Sequence, residues 1–269
     1  MNVLILAAGY ATRLYPLTLN KAKPLLDVAG KPMLAWVVDN LRGVAGIETT
    51  YIVTNAKFSG DFENWAKNYQ RANPEFRFKI VNDGSTADEN KLGAIGDINL
   101  VLTRENALDS DLLVIAGDNL FRESLAGFVD YAKKTQATVG VHRVNDREAI
   151  KKYGVVTVDA DGVITHFEEK PKDPKSNLAA IALYFYSKGV LPLFTTYVAA
   201  GNNPDQPGLF LQWLYRRGPV NTFQITGQWL DIGSKETLEE ANKFSPSIQK
   251  NSALKLPLSS AAEAGPSGL

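Results

Sequence analysis

An unbroken apolar run, Val3 to Ala8, ends at Gly9, the pattern of a strand covered on both faces at the centre of a parallel sheet. Pro32 then opens a segment whose apolar positions Leu34, Val37, Val38 and Leu41 fall at helical spacing and stop at Gly43, which predicts a helix of about three turns. Thr50 to Thr54 predicts a strand, Phe62, Trp65, Ala66 and Tyr69 form one face of a helix, and Phe76, Phe78 and Ile80 alternate as a strand does. Ile95, Ile98, Val101 and Leu102 mark a further helix, and Leu112 to Ala116 a further buried strand. Strand and helix thus alternate through residue 117, which predicts an α/β fold: a right-handed, Rossmann-like doubly wound sheet, mostly parallel. Leu125, Phe128, Val129 and Ala132 continue the helical spacing.

Beyond residue 137 the texture becomes β-rich, in ATVGVHRV, GVVTVD and VITHFEE, and the turn Ala160-Asp161-Gly162 between the last two predicts a hairpin and hence an antiparallel addition. Leu178 to Tyr186 reads as a buried strand, Leu209 to Tyr215 as a helix and Val220 to Ile225 as a strand. Ser234 is placed to cap a last helix with Glu236 in its first turn. From Pro246 onward the periodicity gives way to Ser, Pro, Ala and Gly. One folded domain over 1–245 and a flexible tail over 246–269 are therefore expected.

Charge changes the picture by exclusion. Lys plus Arg number 29 and Asp plus Glu number 29, so no net basic field exists to gather nucleic acid or an anionic membrane, and any anion site must be local. Cysteine is absent, which removes thiolate nucleophiles, disulfides and sulfur ligands. His142 and His166 alone do not suggest a polyhistidine zinc centre. No 18-residue apolar stretch occurs and no basic residue precedes the first apolar run, so a cytoplasmic chain without membrane insertion is expected.

In open parallel sheets ligands bind beyond the carboxyl ends of the strands, which directs attention to the loops there. Gly9 to Lys23 carries Arg13, Lys21 and Lys23 on a long connection after the first strand, a planar fork and point charges within reach of a phosphate chain, although a solvated loop would look the same. It is neither a dinucleotide fingerprint nor a P-loop, because the next glycine after Gly9 is Gly30. Asn82 to Gly96 is glycine-rich at a helix start, suiting either a flat ligand or a mobile polar loop. Gly117-Asp118-Asn119 sets a carboxylate at a strand end, as a cation ligand or a helix cap would require. Glu168-Glu169-Lys170-Pro171 and Trp229 to Ser234 are equally ordinary when read singly.

Their order is not ordinary. LAAGYATRLYPLTLNKAKPLLDVAGKPML resembles the signature of sugar-1-phosphate nucleotidyltransferases, L-A-A-G-x-G-T-R-L-x-P-L-T followed by P-K-P-L-L-x-V-x-G-K-P-M-L. LGAIGD, AGDN, YGVV, EEKP, SNLAAIALYFY and WLDIGS follow in family order, so that the resemblance runs from residue 3 to about 244 and is nearest the glucose-1-phosphate thymidylyltransferase branch. It implies the nucleotide-diphospho-sugar transferase fold, with a nucleotide-binding half over 1–117 and a sugar-binding half over 118–245. It also implies transfer of a nucleotidyl group from a nucleoside triphosphate (dTTP, UTP or CTP) to a sugar 1-phosphate, releasing pyrophosphate by in-line attack with Mg²⁺.

Carried over residue by residue, Leu6, Ala7, Ala8 and Gly9 would line the nucleotide, and Arg13 would meet its β- and γ-phosphates. Lys23 would meet the α-phosphate and the departing pyrophosphate, making Arg13, Lys23 and Lys170 the catalytic cations. Gly93 would contact the base, Asn82 and Ala94 would also line the nucleotide, and Asp118 and Asp231 would hold the metal, Asp118 thereby touching the nucleotide. Asn119, Gly154, Glu169, Lys170 and Asn177 would take the sugar phosphate. Homo-oligomers are common in such families. Departures also stand out: Ala11 replaces a glycine, Ala22 a proline, and Ile181-Ala182 a Thr-Gly pair, and residues 82–91 lack the glutamine and P-D-G-L-A-Q run used around the base, which leaves the base open. No hexapeptide-repeat acetyltransferase region is expected. A cytidylyltransferase acting on a phosphorylated alcohol such as phosphocholine, or a regulatory relative without catalysis, are the alternatives.

Overall fold

A computed structural model of the chain describes residues 1–243; the tail expected over 246–269 lies outside the described residues. Strand β1 (Asn2–Leu6) is followed by β2 (Asp27–Val28) and β3 (Lys31–Pro32), which pair as a short ribbon. Then come α1 (Met33–Asp39), β4 (Thr50–Thr54), α2 (Ser59–Ala72), β5 (Phe78–Asn82), α3 (Ala94–Arg104) and β6 (Leu112–Ala116). The four long strands lie parallel in the order β6-β1-β4-β5, so the chain order reverses between β1 and β6. The period of two along β1 sorts its side chains: Val3 and Ile5 pack with Leu34, Val37 and Val38 of α1 and Phe62 of α2, and Leu4 packs with Ile95, Ile98 and Val101 of α3 on the opposite face. Burying each such side chain stabilises the fold by about 1.5–3 kcal/mol, and a one-residue slip would exchange the two faces, so the register is held firmly.

The second half adds β7 (Asn119–Phe121), α4 (Ala126–Ala132), β8 (Ala137–Arg143), β9 (Gly154–Val158), β10 (Ile164–Glu169) and β11 (Leu178–Tyr186). It closes with α5 (Pro192–Ala199), α6 (Pro207–Leu214), β12 (Asn221–Gln224), β13 (Trp229–Asp231) and α7 (Lys235–Asn242). As the turn at Gly162 predicts, β9 and β10 are antiparallel neighbours. Strand β11 joins the halves. Its Leu183–Tyr186 stretch pairs antiparallel with β6, its Leu178–Ala180 stretch with β9, and β8 runs along its other edge, producing a mixed nine-stranded sheet. Strand β12 adds to β8 in parallel.

Helix α5 is absent from the sequence expectation because its residues are apolar around most of the circumference and show no single stripe. Phe194 on α5 is buried against Phe210 of α6, ring centroids 3.9 Å apart, which closes the core behind α3. The first strand ends at Leu6 rather than Ala8, releasing Ala7, Ala8 and Gly9 into the loop, and the strand expected from Phe76 begins at Phe78. The first helix stops at Asp39, short of Gly43. The Ser234 hydroxyl accepts from the Thr237 N–H and caps α7. Among the described residues no helix is long and apolar enough to cross a membrane.

Candidate active site

The reversal of strand order opens a crevice at the carboxyl ends of β1 and β6, and a cavity of about 410 Å³ occupies it. One end is lined by Leu6, Ala8, Gly9, Gly93, Ala94 and Asp97, the other by Asn119, Gly154, Glu169, Lys170 and Trp229, with Asp118 and Asp231 on the wall as well.

Three local features assemble the charged wall. Pro24 packs over Gly117, where a side chain would collide with the Leu6 carbonyl and the Pro24 ring, so the loop after β1 is pressed against the end of β6. That contact brings the Lys23 Nζ to 2.6 Å from the Asp118 carboxylate. Next, β13 pairs antiparallel with β7, placing Asp231 opposite Asn119 and so beside Asp118. Finally, the Trp229 indole N–H donates to Asn119 Oδ1 (2.6 Å) and the Asn119 amide donates to Asp118 (2.9 Å), a relay that fixes the orientation of the carboxylate.

Electrostatics divides the two acids. Burial opposes ionisation of Asp118, but the Lys23 ammonium and the Asn119 amide outweigh it and hold the group below the usual carboxylate range. Burial, and then the neighbouring Asp118 charge, push Asp231 up to about 6 against the pull of Lys23, Arg13 and Lys170. Two carboxylates so arranged offer hard oxygen ligands; no cluster of three or more acidic, histidine or cysteine side chains accompanies them among the described residues. This donor set fits a cation that takes two protein oxygens and fills its remaining positions with phosphate oxygens and water, as Mg²⁺ does.

At the end lined by Gly154, Glu169 and Lys170, Glu169 is largely buried and its carboxyl is raised by that burial despite Lys170 beside it. Lys170 follows at φ +49°, a left-handed backbone that turns the chain sharply out of β10, and its N–H donates to the Tyr153 carbonyl (3.1 Å). Gly208, in the first turn of α6, lies where any Cβ would overlap Glu169 Oε2. The colliding atom is the tip of a flexible side chain, so Gly208→Ala is expected to displace the Glu169 carboxylate and leave the fold intact. A melting temperature unchanged within a few degrees, together with turnover lowered about tenfold, is the expected outcome.

At the other end, Gly93 begins α3 at φ +79°, with the Asp205 Cα 2.6 Å from where its Cβ would be, so a side chain there would meet backbone. Asp97, in the first turn of the same helix, is 5% exposed. Burial, and then the Asp83 carboxyl beside it, push it up to about 8. Its folded-state value therefore lies above that of an unfolded carboxylate, and the native state is penalised progressively as pH rises from about 4 to about 8. Asp97→Ala should accordingly raise the melting temperature by several degrees at pH 8 and have little effect near pH 4, as calorimetry at the two pH values would show.

Not every expected residue faces the cavity, and Lys23, though paired with Asp118, is outside its lining. Asn82 spends its side-chain oxygen on the Gly84 N–H, and Asn177 is bonded to Arg143 and Asn145; neither lines the cavity. Ala7 is buried behind the wall. Arg13 is exposed outside the lining, although its charge reaches Asp231. Ala11, in the glycine position of the signature, has the left-handed backbone (φ 49°) that a glycine adopts without strain, and its carbonyl accepts from the Thr18 hydroxyl (2.8 Å). Asp97, Lys152, Tyr153 and Gly208 line the cavity without having been anticipated. His142 hydrogen-bonds the Ile225 carbonyl (2.9 Å) and lies outside the lining.

The model of the nucleotidyl transferase family matches residues 2–247. The bifunctional protein GlmU of Methanocaldococcus jannaschii is 28% identical over 244 residues, covering 91% of this chain and 54% of that protein. The chain thus spans about half the length of this relative. The glucose-1-phosphate adenylyltransferase of Bacillus subtilis is 29% identical over 269 residues, covering 94% of this chain and 68% of that protein. A crystal structure of a UDP-glucose pyrophosphorylase complexed with UDP-glucose superposes with a TM-score of 0.75 at 25% identity, covering 90% of this chain and 97% of that one.

Proposed function

The chain belongs to the nucleotidyl transferase family, and from that premise we propose that it joins a nucleoside triphosphate to a sugar 1-phosphate, releasing pyrophosphate and forming a nucleotide sugar. The observation that carries this reading is the pair of carboxylates Asp118 and Asp231 on the wall of one cavity whose two ends differ in chemistry, with Lys23 paired to Asp118 from outside the lining. One end offers backbone and small side chains to a nucleotide. The other offers a carboxylate, an amide and a lysine to hydroxyls and a phosphate. Residues 1–117 hold the nucleotide in this scheme, and those from Asp118 onward hold most of the sugar phosphate site.

The chemistry requires no base. A phosphate monoester has its second pKa near ~6, so the attacking oxygen is already ionised at neutral pH, consistent with a cavity lined by no histidine or cysteine. The obstacle is repulsion between two anions, which is met by positioning and by fixed positive charge. Lys170 pairs with the sugar phosphate and aligns it with the α-phosphorus. Lys23, anchored on Asp118, faces the α-phosphate and the pyrophosphate as it leaves, and Arg13 meets the outer phosphates from the loop. Glu169 accepts from sugar hydroxyls. Asp118 and Asp231 would hold Mg²⁺, which would supply positive charge to the phosphate oxygens.

The names of the relatives span adenylyl and uridine nucleotides, so the base is not fixed by likeness. Pyrophosphate release, measured for dTTP, UTP, CTP, GTP and ATP against a set of aldose 1-phosphates and phosphocholine, tests the reading. One triphosphate with one aldose 1-phosphate should exceed all other pairs by at least about tenfold. Turnover with phosphocholine alone, or with no acceptor, would overturn it.

A further inference from the structure

At the nucleotide end of the cavity stands a carboxyl that the transfer chemistry above does not use. Asp97 lines the cavity beside Gly93, Ala94, Leu6 and Gly9, on the first turn of α3. It is 5% exposed, and its Oδ1 is enclosed without a hydrogen-bond donor among the described residues. The usual donors are engaged elsewhere. The N–H groups of Ala94 and Ile95, which open α3, are taken by the Asp205 and Pro204 carbonyls, and the Ser85 hydroxyl and N–H go to Asp83. The Asp83 carboxyl beside it is a second acceptor, whose charge disfavours ionisation of Asp97. Lys91, at the rim, is paired with Asp88 (3.4 Å) and Asp205 (3.3 Å). A carboxyl kept for packing sits on a donor, because an unsatisfied buried acceptor is destabilising. Asp97 instead stands on the cavity wall without one.

We infer that Asp97 selects the nucleobase: its carboxyl oxygen accepts a hydrogen bond from an N–H on the pairing edge of the base of the incoming nucleoside triphosphate. This inference rests on the nucleotide occupying that end of the cavity. Asn82, a polar side chain that the resemblance places at the nucleotide, is turned to Gly84 and outside the lining, whereas Asp97 comes from the helix on the opposite side of the same loop and is within it. A site built to hydrogen-bond a substrate N–H discriminates strongly against a base that cannot supply it in that position, since the buried acceptor is then left unpaired.

The test compares wild type and Asp97→Ala by calorimetric titration with the five triphosphates, and with an analogue of the preferred base in which the pairing-edge N–H carries a methyl group. Wild type is expected to favour one base and to lose about tenfold or more on the methylated analogue. Asp97→Ala should bind parent and analogue alike, with the spread among bases compressed by a similar factor, while inhibition by inorganic tripolyphosphate and the KM for the sugar phosphate stay as in wild type. Asp97→Asn, which keeps the side-chain volume, serves if the alanine variant does not fold; its amide should change the order of preference. A variant that keeps the wild-type order and spread would overturn the inference. Wild type that discriminates among bases through Asp97 yet releases no pyrophosphate with any sugar phosphate would uphold the inference and overturn the transfer reading, so the two can fail separately.

Discussion

Asp118→Asn is expected to lower turnover by about three orders of magnitude, on the order of 4 kcal/mol of transition-state stabilisation, while the melting temperature stays within a few degrees of wild type. The substitution is nearly isosteric, and the amide oxygen can still accept from Asn119, so the Trp229–Asn119 relay survives. What disappears is one negative charge. Lys23, held at 2.6 Å from that charge, is then free to shift away from the phosphate path. Asp231 loses the like charge that helps to raise it and becomes a more ordinary acid, so the pH dependence of any residual activity should move downward. Single-turnover pyrophosphate release measured across pH 5–8 reads both effects. Activity within tenfold of wild type would remove Asp118 from the reaction.

Lys170→Met should produce the second largest loss, about 10²–10³ in kcat/KM for the sugar phosphate, with nucleotide affinity unaltered. Methionine retains most of the aliphatic stem and removes the charge, so the sharp turn at φ +49° and its bond to the Tyr153 carbonyl are kept. Glu169, which Lys170 pulls down against burial, should rise further and become a poorer acceptor for sugar hydroxyls. Steady-state kinetics with each substrate varied in turn separates this from a general loss. An equal rise in both KM values would indicate that the turn itself had been disturbed.

The doubly wound half was legible because its central strands β1 and β6 are buried on both faces and therefore apolar without interruption, as in Val3–Ile5 and Leu112–Ile115. The loops carrying Lys23 and Asp118 were legible because they follow such strands, and Lys170 because it follows the β-rich run VITHFEE. Their pairing was not. The approach of Lys23 to Asp118 depends on Pro24 sitting over Gly117, and that of Asp231 to Asp118 on the three-residue strands β7 and β13, too short to leave a periodic trace. Gly208 opens a helix in a stretch of ordinary composition, and only the position of Glu169 in space gives it meaning. Asp97 was hidden for a related reason: an acid in the first turn of a helix is commonplace, and nothing in the sequence shows that its neighbours have already committed their donors.

Strand β11 carries one further consequence. Because Leu183–Tyr186 is stitched to β6 and Leu178–Ala180 to β9, the two ends of the cavity share a single ladder rather than a hinge. The halves should therefore melt in one transition, with the β11 amides among the slowest to exchange with deuterated solvent. Access to the crevice is then left to surface segments, the long connection after β1 and the stretch before α3, fluctuating around a frame that stays still. Substrates that enter by loop motion of this kind arrive at a site whose charges are already in place, so the catalytic group need not be rebuilt at every turnover.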